Sequence, residues 1–321
     1  MTTRVHLGSS SLEVSRIVLG GNVFGWTADR GASYEILDSY VARGGNSIDI
    51  ADAYPYWAPG CSGGESEEIV GDWMRARGNR ADVVIATKVG RFPDNHGLTR
   101  AQITAGLQGS LKRLGTDYID LYYCHSDDLD TPLEETLTTL TEYVDAGVIR
   151  AIAASNYSVT RLAEALAISN AQGLARFCAL QPHYSLMVRH EYEGAMLDLC
   201  AREGLACLPY FPLAAGFLTG KYRSADVGDS ARAAHVTRHL TDRGWRVLAA
   251  LDTVAARQDS SPTTVALAWL VAQPTVAAPI VSVSRADQLT AVMSSIDLRL
   301  TTRDCEELAT ASDPGHPGGG I

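Results

Sequence analysis

The chain repeats one unit: a short, continuously apolar run, a stretch with helical spacing of apolar residues, then another apolar run. Eight such runs can be read, in SRIVLG, SIDIA, DVVIATK, TDYIDLYYCH, VIRAIAAS, ARFCALQ, LACLPY and TVAAPIVSV. A run that is apolar on both faces must be buried on both faces, which a parallel sheet covered by helices provides. Eight of them alternating with helices favour a closed (β/α)8 TIM barrel over an open sheet. RVHLGSSSLEVS, before the first run, reads as two strands about a Gly-Ser turn, a hairpin expected to close the bottom of the barrel. A barrel absorbs all 321 residues as one domain, 1–321, with a tail from about residue 312 expected to be mobile. No linker, low-complexity core segment or short-period repeat interrupts it.

Composition removes several classes of function. Lys and Arg number 27 against 37 Asp and Glu, a formal net charge of −10. That balance argues against a general nucleic-acid binder and against a partner of anionic membranes. The six cysteines show no CxxC or Cys/His ligand spacing, so a structural metal is not expected, and a reduced, cytoplasmic protein is. The start has no signal-peptide core, and no apolar run is long enough to span a bilayer.

The apolar runs share a second property: each ends in a polar group. Asp49 ends SIDIA with Tyr54 just beyond, Lys88 ends DVVIATK and His125 ends YIDLYYCH. Ser155 and Asn156, Gln181 and Tyr210 follow on later runs. In a barrel these ends share the C-terminal face, where sites form. A lysine at the mouth of a buried strand is costly unless a partner or a function holds it. Lys88 alone fits a Schiff-base nucleophile, a phosphate ligand, an electrostatic partner or an ordinary strand-end ion pair. Asp49, on the adjacent run, is a natural partner that keeps the ammonium charged. A charged lysine facing the Tyr54 phenol favours phenolate, and so brings a group that titrates at about 10 towards use as a proton donor. His125 can donate to a carbonyl oxygen, orient it or relay a proton. The glycines of GGNVFGW permit close backbone approach to a ligand, but they are not a GxGxxG fingerprint.

The most specific stretch is IDIADAY followed by GESEEIVG, reinforced by VIATKVG, YIDLYYCH, AASNYS, QPHYSLMVR, YFPLAAGFLTGKY and PIVSVSRADQL. On these motifs the chain resembles the aldo-keto reductase superfamily, closer to its bacterial and potassium-channel-beta-like branch than to the mammalian aldose-reductase branch. The resemblance implies Tyr54 as general acid for carbonyl reduction, tuned by Lys88, which Asp49 holds, with His125 orienting the carbonyl. Tyr56 is expected to line the pocket instead. The resemblance also implies a nicotinamide cofactor lying extended across the barrel top. Gly21, Ser155, Asn156 and Gln181 would stand beside it, the last three on the carboxamide, with Tyr210 stacked on the ring. Leu213, Gly216 and Lys221 would wrap the pyrophosphate. Ser282, Ser284, Arg285 and Gln288 would meet the adenosine end, where a 2′-phosphate site favours NADPH over NADH. Ser282 stands where the family often has glycine. The alternative for Arg285 is a surface helix cap.

Phe24, Trp26, Tyr56, Trp57 and Phe92 lie beyond strand ends and are expected to wall a pocket for a small carbonyl substrate that is apolar or ring-shaped, such as an aromatic aldehyde, a ketone or a sugar. Two other readings stand beside reduction: an aldolase-type barrel using Lys88 as an amine, and a cofactor-sensing subunit whose work is carried by partners. Oligomeric state is left open.

Overall fold

A computed structural model describes residues 4–224, 228, 233–313 and 315. Twelve strands occur among them: β1 Arg4–His6, β2 Glu13–Ser15, β3 Val18–Gly20, β4 Ser47–Asp49, β5 Val84–Val89, β6 Arg91–Phe92, β7 Asn95–His96, β8 Ile119–Cys124, β9 Ile149–Ser155, β10 Phe177–Gln181, β11 Ala206–Cys207 and β12 Ile280–Val281. Eight of them form a parallel sheet in the order β11-β10-β9-β8-β5-β4-β3-β12. The sheet closes on itself beside β11. The Cys207 N–H donates to Thr275 O, the Ala277 N–H to Cys207 O and the Ile280 N–H to Pro209 O, each at 2.9 Å. The architecture is therefore the expected barrel.

Two packed layers follow from the two faces of these strands. The inward face is small and apolar, with Ala86, Ala151, Ala153, Ala179, Ala206 and Ala278 around Leu121, Tyr123 and Leu208. The outward face packs Ile48, Ile85, Tyr122, Ile152 and Leu180 against the helices. The β1–β2 hairpin closes the bottom as expected, adding Leu7, Leu12 and Val14 to the inner layer. Asn46 fastens it: its amide donates to Glu13 O at 2.9 Å, and its oxygen accepts from the Ser15 N–H at 2.8 Å. The hairpin turn needs glycine, because a Cβ on Gly8 (φ +52°) would stand 2.1 Å from Cys178 O.

A second fastening lies at the same end. Asp120 is buried in β8 and accepts from the Ile85 N–H at 2.9 Å, from Arg80 at 2.8 Å and from Arg150 at 2.8 Å. One carboxylate thus ties three neighbouring strands, and both guanidinium groups lie over the Tyr118 ring. Such a buried charge is tolerated because its oxygens are fully partnered.

Several elements differ from the reading of the sequence. LACLPY and TVAAPIVSV keep only two strand residues each, since Pro209 and Pro279 have no N–H to give to a ladder. The helix expected over 190–204 begins at Ala195, because Gly194 (φ 86°, ψ −130°) is far from helical. The last helix is not RADQLTAVMSSI, which is a 3-10 turn followed by Leu289–Ser294. Thr302–Ser312 comes after it, started by a capping box between Thr301 and Asp304. The β6–β7 hairpin was not expected. Residues 225–227 and 229–232 of the 221–243 stretch, and most of the tail beyond 313, lie outside the described residues. Among the described residues no helix is long and apolar enough to cross a membrane.

Candidate active site

The parallel registers bring the polar strand ends together at one end of the barrel. Asp49 ends β4, Lys88 is one residue from the end of β5, and His125 follows β8 directly. Lys88 is fully buried. Its ammonium donates to Asp49 Oδ1 at 2.5 Å and to the carbonyl of Ile50 at 2.7 Å, and it lies 4.8 Å from the centre of the Tyr54 ring. Tyr54 reaches back over it from the loop after β4, its ring edge-on to His125 at 5.7 Å.

Electrostatics set the protonation of this group. Burial works against the Lys88 ammonium, but Asp49 and Tyr54 overcome it and hold Lys88 above an ordinary lysine. Burial likewise lifts the Asp49 carboxyl, opposed by Lys88 and by Gln181. For Tyr54 burial is the strongest influence and raises the phenol above its usual value; Lys88 pulls the other way. Before any ligand binds, the phenol is therefore protonated at neutral pH. His125 is pushed well below a normal imidazole by burial and by the charges of Lys88 and Arg91. It stands neutral, with its Nδ1 buried and without a hydrogen-bond partner.

The expected carboxamide groups form a chain of hydrogen bonds beside the four. Asn156, in the left-handed region (φ 56°), donates to His125 O at 2.8 Å and to Ser155 Oγ at 3.0 Å, and accepts from the Tyr210 hydroxyl at 3.0 Å. Ser155 donates to Gln181 O at 2.9 Å. Gln181 spends its amide donor on Asp49 Oδ2 at 2.9 Å. Its amide oxygen is in no side-chain hydrogen bond of the described residues, which suits it to accept from the amide of a carboxamide. Tyr210 is half-buried, and His183 stacks on it at 5.1 Å and 15°. A ring of nicotinamide type fits this donor and acceptor set.

The adenosine-end residues are drawn together too, but with their polar groups engaged. Ser282 donates to Asn22 at 2.6 Å, and the hydroxyls of Ser284 and Thr27 meet at 3.3 Å. Gln288 caps the N–H groups of Ser284 and Arg285. The Arg285 guanidinium pairs with Asp287 at 3.1 Å, both exposed. Leu213 and Gly216 (φ 96°) belong to an irregular 3-10 segment, with Lys221 folded near Gly216 and over Tyr222.

One expected contact is corrected. Phe24 is wholly enclosed and packs in the outer core, so it does not wall a pocket. Gly21 is likewise enclosed: a Cβ there would stand 2.6 Å from Ile50 and 2.9 Å from Phe24, so packing alone requires glycine at this position. The remaining aromatics do gather at the mouth. Trp57 meets Tyr54 at 5.4 Å, Tyr56 at 5.6 Å and Trp26 at 6.0 Å, all edge-to-face, and Trp57 and Tyr56 stay exposed. Phe92 is half-buried in β6, against Gly63.

Two residues of this region escaped the sequence reading, as did the contact of Gln181 with Asp49. Arg91, just after the Lys88 strand, acts electrostatically on Tyr54, His125 and Tyr210. Asp52, between Asp49 and Tyr54, is buried with neither carboxylate oxygen hydrogen-bonded. For Arg91 the signal was its place two residues past a functional strand end. For Asp52 it was a third acid in a run of apolar and aromatic residues.

The site is thus a set of Asp, Tyr, Lys and His at three adjacent strand ends of a closed parallel barrel, beneath an aromatic mouth. The aldo/keto reductase family model matches residues 16–313, and the chain belongs to that family. It is 34% identical over 304 residues to a probable voltage-gated potassium channel subunit beta of Oryza sativa subsp. japonica, covering 91% of this chain and 90% of that one. It is 33% identical over 321 residues to protein tas of Escherichia coli, at 91% and 92% coverage. It is 29% identical over 326 residues to an aryl-alcohol dehydrogenase of Pestalotiopsis microspora, at 97% and 82% coverage. Membership supports an oxidoreductase with a small carbonyl substrate.

Proposed function

We propose that the protein reduces an aldehyde or ketone to the alcohol with a nicotinamide cofactor, NADPH in preference to NADH, and that Asp49, Tyr54, Lys88 and His125 carry the proton transfer. The observation that carries this is the Lys88 ammonium, fixed by Asp49 and Ile50 O beneath the Tyr54 ring. A bound reduced nicotinamide supplies the hydride to the carbonyl carbon. Tyr54 gives its hydroxyl proton to the carbonyl oxygen. The resulting phenolate is stabilised by Lys88 until a proton returns from solvent. Neutral His125 faces Tyr54 edge-on and directs the substrate oxygen towards it. Gln181, Asn156 and Ser155 would hold the carboxamide, Tyr210 the ring face, and Leu213, Gly216 and Lys221 the pyrophosphate. Ser282, Ser284, Arg285 and Gln288 would take the adenosine end, Arg285 by exchanging Asp287 for a phosphate.

The aromatic mouth and the relation to an aryl-alcohol dehydrogenase support aromatic carbonyls as substrates. The enclosed, charged Lys88 speaks against a Schiff-base amine, which must be neutral and reachable. We take the chain to act as one domain in the cytoplasm.

The test is a carbonyl panel followed by NADPH and NADH oxidation, with Tyr54→Phe as control. Turnover that falls at least about 100-fold in Tyr54→Phe, with cofactor affinity kept, is the expected result. Tight NADPH binding without turnover on any carbonyl would favour a cofactor-sensing subunit instead.

A further inference from the structure

Two prolines set up one pair of rings. Pro182 follows β10 and leads into His183, while Pro209, two residues past β11, leads into Tyr210. Each proline fixes its own φ and so the direction of the chain that carries the next ring. β10 and β11 are parallel neighbours, and their pairing continues beyond both prolines. The Tyr210 N–H donates to Pro182 O at 2.9 Å, and His183 and Tyr210 form a parallel bridge. The two side chains therefore stand side by side. Their rings stack, with centroids 5.1 Å apart and planes 15° from parallel. Phe211 meets both edge-on, at 5.6 Å from Tyr210 and 5.8 Å from His183.

His183 is held in this place by shape and not by hydrogen bonds. Its Nε2 is buried without a partner among the described residues, and its Nδ1 stops 3.6 Å from Glu191. Burial, with Arg238 and His190, pushes the imidazole down to about 4, so the ring is neutral at pH 7. A buried ring nitrogen without a partner carries a cost that an apolar side chain of similar bulk avoids. Filling space would be served by leucine; what the imidazole adds is a flat face. Tyr210 is thus fixed twice. Asn156 accepts from its hydroxyl at 3.0 Å and restrains that end, and His183 restrains the plane. The opposite face of the half-buried Tyr210 has no stacked ring among the described residues.

We infer that His183 is a positioning residue for hydride transfer, backing Tyr210 so that the other face of the tyrosine offers the nicotinamide ring a fixed plane. This rests on the carbonyl-reductase reading, which gives Tyr210 the ring, and it names a residue that the reading does not use. His183 acts through Tyr210 and touches neither cofactor nor substrate. With a tilting Tyr210 the cofactor keeps its adenosine half but loses the plane on which the nicotinamide rests. The share of binding that comes from the nicotinamide then falls, and the share from the adenosine half does not.

The experiment compares wild type with His183→Leu, which keeps bulk without a flat face, and with His183→Phe, which keeps the face. The readout is the Kd of 2′-phospho-ADP-ribose divided by that of NADPH, a ratio that isolates the nicotinamide; ADP-ribose and NADH are the second pair. In His183→Leu the ratio should fall about 3- to 10-fold, the worth of one aromatic pair. In His183→Phe it should stay within about twofold of wild type, on the same scale. A general packing defect weakens both ligands alike, so an unmoved ratio in His183→Leu overturns the inference. A ratio lowered as far in His183→Phe as in His183→Leu overturns it too. A crystal structure of the wild-type protein with NADPH checks the same point without a variant. Nicotinamide and His183 on opposite faces of Tyr210 support the inference, whereas nicotinamide lying against His183 or away from Tyr210 overturns it. Binding of neither NADPH nor NADH overturns the reductase reading, and this inference with it.

Discussion

Gln181 and Asp49, 132 residues apart in the chain, meet across the barrel mouth with the Gln181 amide donating to Asp49 Oδ2 at 2.9 Å. Lys88 takes the other oxygen of the same carboxylate. Asp49 is therefore clamped from both sides, by a cation on β5 and by an amide on β10. The group that faces the expected carboxamide also sets the base of the Lys88–Tyr54 pair, so a cofactor touching Gln181 would be felt two side chains away.

Gln181→Met keeps the volume and removes the donor. A buried carboxylate oxygen left without its partner costs about 1–3 kcal/mol. Urea denaturation should show a loss of that size. Since Gln181 draws the Asp49 carboxyl down, the variant should also shift the pH profile of kcat, which a purely structural defect would not do. An unmoved profile with lowered stability would reduce Gln181 to a packing role.

Asp52 gives a pH test of opposite character. Burial, and then the charge of Glu67, raise its carboxyl from 3.8 to about 7, against the weaker pull of Arg113. The folded protein therefore binds this proton more tightly than the unfolded chain does. Stability from this site is greatest near pH 4, falls as pH rises towards 7, and levels off above. The charged form carries a penalty on the order of 4 kcal/mol. Asp52→Asn should be more stable than wild type at pH 8, with the difference shrinking steadily towards pH 4. Chemical denaturation at four pH values checks it, and a variant less stable than wild type at pH 8 would refute the account.

Asp120 should matter for stability and not for chemistry. Asp120→Asn leaves Arg80 and Arg150 without their shared anion and weakens the tie to Ile85. Breaking a buried pair from one side typically costs about 3–5 kcal/mol. A melting temperature lowered by several degrees, with KM values for cofactor and aldehyde within about twofold of wild type, is the expected outcome.

The barrel was legible because eight apolar runs alternate with helices, a pattern that favours a closed barrel over an open sheet. Asp49, Lys88 and His125 were legible for a related reason: strand ends of a parallel barrel share a face, so charge at the end of an apolar run points there. Tyr54 followed from lying just past one such end. What sequence could not resolve was which side of a glycine or an aromatic faces in. Phe24 and Gly21 sit beyond a strand end like their neighbours, yet they pack on each other and on Ile50. The two-residue strands β11 and β12 were overread, because the apolar runs continue across Pro209 and Pro279, which interrupt the ladder. Thr302–Ser312 was missed because few of its residues are buried, among them Leu308, so its period is faint. Asp52 and Asp120 looked alike as acids in apolar runs. Their opposite circumstances, one without partners and one with three, depend on arginines contributed from other strands and helices.

The ring of strands is laced unevenly. Between the two-residue strands β11 and β12 it is held, among the described residues, by three backbone hydrogen bonds at Cys207, Ala277 and Ile280. Tyr210 leaves one side of that seam and Ser282 the other. Amide protons along it should exchange with solvent sooner than those of β5, β8 and β9, because fewer bonds must open. A long molecule lying from Tyr210 to Ser282 would bridge the seam from above, lacing shut the part of the barrel that the backbone leaves loosest.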